Sequence, residues 1–124
     1  MEKIWFAEYQ KTGIPETVEL PAENTSLNDV FERNFQKFGS RDAFIFMDKV
    51  LTYNELEVAS RKFATYLQSL GLKKGSRVAV MMPNVFQYPV VALGVFRAGL
   101  VLVEVNPLYA ASELDHQLNE SGAG

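Results

Sequence analysis

Two apolar segments on either side of a helical segment constrain the fold of this chain more than any other feature. The segments are residues 78–82 and 100–105, and only Glu104 interrupts the second. Continuous apolar strands are typical of a parallel sheet with helices on both faces. Residues 85–98 predict the crossover helix, which the right-handed crossover rule places over the sheet.

Turn residues mark the ends of these elements. Pro83 and Asn84 end the first strand, and Asn84 is predicted to cap the crossover helix. Gly99 ends that helix, whereas Asn106 and Pro107 stop the second strand. Ser112 is predicted to cap a last short helix, through about residue 120.

The first half of the chain predicts a helix over residues 27–38. Ser26 can cap its start together with Asp29, and Gly39 is expected in the left-handed conformation that ends it. An apolar stripe at helical spacing indicates its core face. The stripe consists of Leu27, Val30, Phe31, Phe35 and Phe38.

A β-hairpin and a long helix follow. Residues 43–47 and 50–52 are short apolar runs around a predicted turn at Asp48 and Lys49. Thr52 and Glu55 match a capping box that opens a helix to about residue 70, closed by Gly71. Its predicted apolar face comprises Leu56, Ala59, Phe63, Tyr66, Leu67 and Leu70.

Composition limits the class of protein. The chain has 124 residues, enough for one domain, with a net charge of -3 and no cysteine. A mildly acidic chain gives no electrostatic footprint for nucleic acid, and disulfides or thiolate metal sites are excluded. Residues 1–25 read as an irregular arm, and residues 26–124 as an incomplete α/β unit. No segment reads as a signal peptide or a membrane span.

Ligands of open parallel sheets bind at the carboxyl ends of the strands. That rule selects two loops, residues 82–84 and 106–109. The asparagines there can hold a ligand, but turn formation is the favoured interpretation. Residues 71–75 precede a strand and lack phosphate-loop spacing, so they are interpreted as a solvated turn.

The remaining polar clusters carry weaker signals. His116 lies on one predicted helix face with Glu113 and Glu120, but a metal site of this kind needs a second copy of the motif. The basic group of Lys73, Lys74 and Arg77 is most simply a solvated surface. No residue is therefore predicted as catalytic, cofactor-binding or metal-ligating.

Several segments resemble adenylate-forming enzymes. Residues 51–56, Leu-Thr-Tyr-Asn-Glu-Leu, resemble an opening motif of that superfamily, and residues 75–80 resemble a strand motif with Ser76 in place of aspartate. Residues 81–99 and 105–123 are similar to bacterial long-chain fatty acid–CoA ligases. The resemblance implies the N-terminal part of the large domain of such an enzyme, with a helix and hairpin followed by a parallel βαβα unit.

The resemblance also implies an activity for a longer parent protein. In that reaction a fatty acid attacks ATP, with Mg²⁺, to give an acyl-adenylate, and CoA then displaces AMP. The family's catalytic motifs are not in this sequence, so the chain alone is expected to be inactive. A cytoplasmic location is expected, and association with the inner face of the membrane and a homodimer remain open.

The chain ends where a third strand is due, which suggests an N-terminal piece of a longer protein. Two other interpretations stay open at this point. One is a stand-alone binding or dimerisation module, and the weaker one is a small flavodoxin-like nucleotide binder. The missing phosphate-binding glycines count against the latter.

Overall fold

The computed structural model describes residues 4–15, 17 and 25–123, which form an α/β arrangement of five helices and four strands. In chain order these are α1 (Phe6–Thr12), α2 (Leu27–Phe38), β1 (Asp42–Phe46), β2 (Lys49–Thr52), α3 (Tyr53–Ser69), β3 (Arg77–Met81), α4 (Gln87–Arg97), β4 (Val101–Val105) and α5 (Ala111–Ser121). Within the described part, no helix has the length and apolar character needed to cross a membrane.

The predicted βαβ unit is confirmed. β3 and β4 pair in parallel, in a register that sets Arg77 opposite Val101 and Met81 opposite Val105. Both strands therefore end at the same level. Pro89 is the third residue of α4, where an absent backbone N–H costs no helical hydrogen bond.

The core lies where α3 and α4 pack against each other and against the strands. Leu67, Val95 and Leu100 form one buried cluster. A second cluster joins α2 to the same helices through Phe35, Leu56 and Leu93. Leu56 and Leu67 thus lie on the predicted core face of α3.

Two residues of that predicted face are not core. Tyr66 and Leu70 are 56% and 53% exposed, whereas Ser60 and Ala64 are buried. The buried Ser60 hydroxyl donates a hydrogen bond to the Glu57 carbonyl at 2.9 Å, so its polar group is satisfied within the helix. Ala64 lies beside Gly94 of α4, where the two helices approach closely.

Gly94 on α4 shows how close that approach is. A Cβ at this position would lie 2.6 Å from Phe63 Cδ1 and 3.3 Å from the Ala64 backbone nitrogen. Neither distance is compatible with ordinary van der Waals contact. Glycine is therefore required at this position by space, although it is an unfavourable residue in the middle of a helix.

The hairpin of β1 and β2 is confirmed, but its turn lies one residue earlier than predicted. Phe46 pairs with Lys49, so Met47 and Asp48 form the two-residue loop. Both have positive φ, 46° and 61°, as a type I′ turn requires. The pairing of the two strands fixes this register. The preference of Asp48 and Lys49 for a turn is too weak to shift it.

Two of the predicted helix caps are confirmed. The Ser26 hydroxyl accepts from the Asp29 N–H at 3.2 Å, and the Asp29 carboxylate accepts from the Ser26 N–H at 2.8 Å. Thr52 and Glu55 form the same reciprocal pair at 3.3 and 2.9 Å. These capping boxes determine where α2 and α3 begin.

Two other cap predictions are wrong. Asn84 does not cap α4, because a turn closed by the Tyr88 N–H on the Val85 carbonyl precedes the helix, which begins at Gln87. Ser112 does not cap α5, which begins one residue before it. There the Glu113 carboxylate accepts the Ala110 N–H at 2.8 Å instead.

The left-handed conformation predicted for Gly39 is also wrong. Its φ is -40°, and a Cβ would lie 2.3 Å from Asn54 Oδ1. A side chain at this position would displace only the terminal amide of the exposed Asn54 side chain. Gly71 and Gly99 do adopt left-handed conformations, both with φ 75°, after α3 and α4.

The N-terminal arm and the α2 stripe differ in part from prediction. Phe6–Thr12 is a helix and is followed by the left-handed Gly13, where an irregular segment was predicted. No side chain caps the start of this helix, so the sequence contained no capping motif that could predict it. Residues 1–3, 16 and 18–24 lie outside the described part.

On α2, Phe35 is buried as predicted, but Leu27 is 58% exposed because it begins the helix.

We expect Gly94→Ala to destabilise the chain by about 1–3 kcal/mol, because its methyl group must displace Phe63 or separate α3 from α4. Urea unfolding measures the change. The exposed Val58→Ala in α3 is the control and is expected within about 0.5 kcal/mol of the parent. A second variant, Phe63→Ala, makes room for the methyl group. In a double-mutant cycle, additive effects would contradict direct contact.

We expect the contribution of Glu55 to stability to depend on pH. Hydrogen bonds from the Thr52 backbone N–H and hydroxyl lower the pKa of Glu55 below its ordinary value of 4.5. The stabilisation is thus present above that value and is lost as pH falls through the lower folded-state pKa. Urea midpoints of the parent and Glu55→Gln should converge toward acid pH. Glu120→Gln, at an exposed position, is the control, and a constant difference for Glu55→Gln would contradict the cap.

Candidate functional site

A cleft opens at the carboxyl ends of β3 and β4. It has a volume of about 490 Å³ and includes residues from both loops that the sequence selected. Val80 and Val105 are buried beside it, at the ends of the two strands. Its lining consists of Val80, Met82, Asn84, Tyr88, Glu104, Val105, Asn106 and Tyr109. The parallel register, which ends both strands at one level, brings these residues together.

A phenol–carboxylate pair forms the polar centre of the cleft. The Tyr88 hydroxyl, on the first turn of α4, donates a hydrogen bond to the Glu104 carboxylate on β4. That hydrogen bond, with smaller contributions from burial and from the negative charge of Glu104, raises the pKa of Tyr88 to about 12. Tyr88 is therefore a neutral donor at physiological pH, and it is not a base.

Two further contacts hold the walls of the cleft. Gln117 on α5 donates from Nε2 to the backbone carbonyl of Glu104 at 2.6 Å, which ties α5 to the end of β4. Asn106 Oδ1 accepts the Leu108 N–H at 3.0 Å and so shapes the loop after β4. The interpretation of Asn106 as a turn residue is thus confirmed.

The charge of the cleft limits what it can bind. Glu104 is its only charged lining residue, and no lysine, arginine or histidine is among the lining residues. Phosphate groups are recognised by cationic side chains and by clustered backbone N–H groups. The cleft is therefore suited to uncharged or cationic groups that donate hydrogen bonds, and the described lining offers no cationic partner for a phosphate.

An apolar pocket of about 300 Å³ adjoins the cleft and shares Asn84 and Tyr88 with it. The pocket lies between the hairpin and the start of α4. Phe46 and Phe86 meet there edge to face, with ring centroids 5.9 Å apart. The exposed Ile45 also lines it, so the pocket is open on the hairpin side.

The other polar groups noted in the sequence do not line this cleft. His116, Glu113 and Glu120 line a surface crevice on α5 that shares Tyr109 with the cleft. Within residues 4–15, 17 and 25–123, no group of three or more His, Cys, Asp or Glu side chains is placed to hold a metal ion. The 71–75 loop lies at the opposite edge of the sheet, where the Gly75 N–H donates to the Gly99 carbonyl at 2.8 Å.

Sequence reasoning selected both loops but missed the central pair, Tyr88 and Glu104. One signal was present: Glu104 is a lone carboxylate inside an otherwise apolar strand, and a charge at such a position needs a partner. Tyr88 carried no comparable signal, because an aromatic residue near the start of an apolar helix reads as core.

We expect the Tyr88–Glu104 hydrogen bond to stabilise the chain below pH 10 and to be lost above it. Because the pKa of Tyr88 is raised from 10.0 to about 12 by folding, its stabilisation is fully present below the unfolded value and disappears as pH rises through the folded one. The difference in urea midpoint between the parent and Tyr88→Phe should therefore shrink above pH 10. The exposed Tyr66→Phe is the control, and a pH-independent difference for Tyr88→Phe would exclude the hydrogen bond.

Comparison with known proteins places this geometry in a family. Over nearly the whole chain, 99%, the sequence is 49% identical to a long-chain-fatty-acid–CoA ligase of Escherichia coli O6:H1, of which it covers 22%. The fold superposes with a TM-score of 0.79 on Klebsiella oxytoca NpsA in complex with 3-hydroxyanthranilyl-AMSN, at 29% identity, covering 82% of this chain and 21% of NpsA.

A third relative has the same fold and a related name. A putative long-chain-fatty-acid CoA ligase of Rhodopseudomonas palustris superposes with a TM-score of 0.75 at 26% identity, over 83% of this chain and 26% of that protein. The chain thus spans about a fifth of the length of the curated ligase that it matches. Residues 31–124 also match the family model of the AMP-binding enzymes, and the chain therefore belongs to the AMP-binding enzyme family.

Proposed function

We propose that this chain is the N-terminal part of a long-chain fatty acid–CoA ligase. In the parent reaction the carboxylate of a fatty acid attacks the α-phosphorus of ATP, and pyrophosphate leaves. The thiol of CoA then attacks the acyl carbonyl of the adenylate, loses its proton and displaces AMP. The products are acyl-CoA, AMP and pyrophosphate.

The observation that carries this proposal is the identity of 49% over 99% of the chain to a ligase of that name. The likeness also extends beyond close relatives, because a ligase of Bacillus subtilis is 39% identical over 97% of the chain. The match to NpsA, whose complex contains 3-hydroxyanthranilyl-AMSN, supports an adenylate as the intermediate.

The described residues support a scaffolding role for this part of the protein. Transfer of the adenylyl group needs cationic partners for the phosphate oxygens, and the cleft contains none among its lining residues. We assign none of the described residues as a metal ligand or as a catalytic residue. The βαβ unit instead holds the cleft and its phenol–carboxylate pair in place.

We also propose that the parent protein works in the cytoplasm, where ATP and CoA are available. Association with the inner face of the membrane, where fatty acids arrive, is the proposed second location. Cell fractionation of the native gene product tests both. Recovery only from a secreted or periplasmic fraction would overturn the cytoplasmic location.

We expect the native gene product to release pyrophosphate from ATP and Mg²⁺ when palmitate is added, and to form a thioester with CoA. The isolated 124-residue chain should release none, because the lining of its cleft offers no cationic side chain to the transferred adenylyl group. Coupled pyrophosphate detection measures both. Turnover by the isolated chain that persists after further purification would overturn the scaffolding role, and an inactive gene product would overturn the ligase activity.

The intact mass of the native gene product separates the proposal from a stand-alone binding or dimerisation module. A ligase of the curated type is several times longer than this chain, whose mass is 13.9 kDa. We expect a mass several times larger. A native product of 13.9 kDa would instead support the module.

A further inference from the structure

The parallel sheet has one edge at which the described residues provide no partner strand. Within that part of the chain, β3 pairs with β4 alone. The Val101 N–H donates to the Ser76 carbonyl at 2.9 Å, so Ser76 directs its backbone groups toward β4. Successive residues of a strand direct these groups to alternate edges, and Arg77, Ala79 and Met81 therefore point theirs away from β4. An edge of this kind is a template for a further strand.

The opposite edge of the sheet, on β4, is partly occupied. Glu104 is an odd number of residues from Val101, so its backbone carbonyl points away from β3. Gln117 Nε2 of α5 donates to that carbonyl at 2.6 Å. This side chain takes the place of a backbone donor that an added strand would provide. The edge of β3 is therefore the more open of the two among the described residues.

The helices that flank β4 in the chain, α4 and α5, lie on opposite faces of the sheet. Val78 and Leu102, which are register partners, pack against the buried cluster around Val95 of α4. Side chains alternate along a strand, so Arg77 points to the other face. There its Nη1 lies 3.3 Å from the position that a Cβ of Gly122 would occupy, at the end of α5. α5 therefore ends on the face that α4 does not cover, beside the first residue of β3.

The handedness of parallel crossovers converts these positions into a strand order. A connection from a strand through a helix to a parallel strand is right-handed in about 98% of cases. With α4 on one face, the connection from β3 to β4 moves across the sheet in one direction. With α5 on the opposite face, a right-handed connection from β4 moves in the reverse direction and passes beyond β3. The next parallel strand is therefore expected at the open edge of β3.

We propose that the open edge of β3 binds a further parallel strand, supplied by the segment that follows residue 124 in the longer parent protein. The inference rests on the proposed function, because it requires a parent of which this chain is only a part. The chain covers 22% of the curated ligase, which is consistent with such a parent. The order of the extended sheet is then β4, β3 and the added strand.

The position of α5 favours this occupant over a second copy of the chain. A strand parallel to β3 must begin level with Arg77, and α5 ends beside that residue. A connection of a few residues therefore reaches the edge within one chain. The added strand lies between the faces that α4 and α5 cover, so we expect it to be a continuous apolar run. It would cover Met81, which is 41% exposed at this edge.

Photocrosslinking in the full-length native gene product tests which segment lies beside β3. A diazirine analogue of leucine replaces Met81, and the same analogue in place of Val101 is the matched control. Both side chains lie on the α5 face and are similarly exposed, at 41% and 44%, but Val101 is one strand farther from the proposed partner. We expect cross-links from position 81 to the segment after residue 124, and none from position 101 to that segment.

Three results of this experiment would overturn the proposal. The first is cross-linking from position 81 to residues 1–124 only. The second is cross-linking between two copies, identified by mixing isotopically light and heavy protein, which would make a second copy the occupant. The third is equal cross-linking of positions 81 and 101 to the following segment.

Hydrogen exchange in the unmodified gene product is a second measurement that needs no variant. The Val80 N–H faces β4 in the parallel register, whereas the Ala79 N–H faces the open edge. We expect the two amides to exchange at rates within about tenfold of each other, because both are hydrogen bonded between strands. A larger excess in the exchange rate of the Ala79 amide would overturn the proposal.

The intact mass and the ligase assay separate failure of this proposal from failure of the proposed function. A native product of 13.9 kDa has no following segment, so it would overturn both. A longer product that is an active ligase but gives no cross-link from position 81 to the following segment would overturn the strand order alone. A longer product with that cross-link but without ligase activity would overturn the ligase function alone.

Discussion

The close contact between α3 and α4 is the interaction on which the rest of the structure depends. Gly94 allows Phe63 and the backbone of Ala64 to approach α4 to distances that a side chain would prevent. Behind this contact, Val95 packs with Leu67 and Leu100, so the same helix pair covers the start of β4. Because α4 also connects β3 to β4, the position of the parallel strands follows from this packing. The cleft lies at the carboxyl ends of those strands.

The cleft is built by the fold more than by any motif. Its central residues, Tyr88 and Glu104, come from a helix and a strand that the crossover brings side by side. Gln117 then ties the last helix to the same strand. The resulting surface is polar, mildly acidic and free of cationic lining residues, next to an apolar pocket under the hairpin. The lining of the cleft contains no cationic side chain for the phosphate groups of ATP. In the proposed ligase, this surface therefore acts as a scaffold.

Local sequence was a reliable guide where a few neighbouring residues decide the conformation. The capping boxes at Ser26 and Thr52 form as predicted, because each needs only residues within one helical turn. The caps predicted for Asn84 and Ser112 failed for the opposite reason. After Asn84 the chain makes an additional turn before the helix begins. Before Ser112, the Glu113 carboxylate accepts the Ala110 N–H, so the helix begins earlier. The capping preference of a single residue does not predict either outcome.

The sequence by itself determined the order of elements from α2 onward, the parallel βαβ unit and the edge of the sheet where the cleft lies. These follow from hydrophobic periodicity and from turn residues, which act over short distances along the chain. Only the tertiary structure decided which residues meet. The burial of Ser60, the steric need for Gly94, and the partnership of Tyr88 with Glu104 all depend on segments that are distant in sequence. Contacts of that kind are set by the packing of whole elements, and no local pattern encodes them.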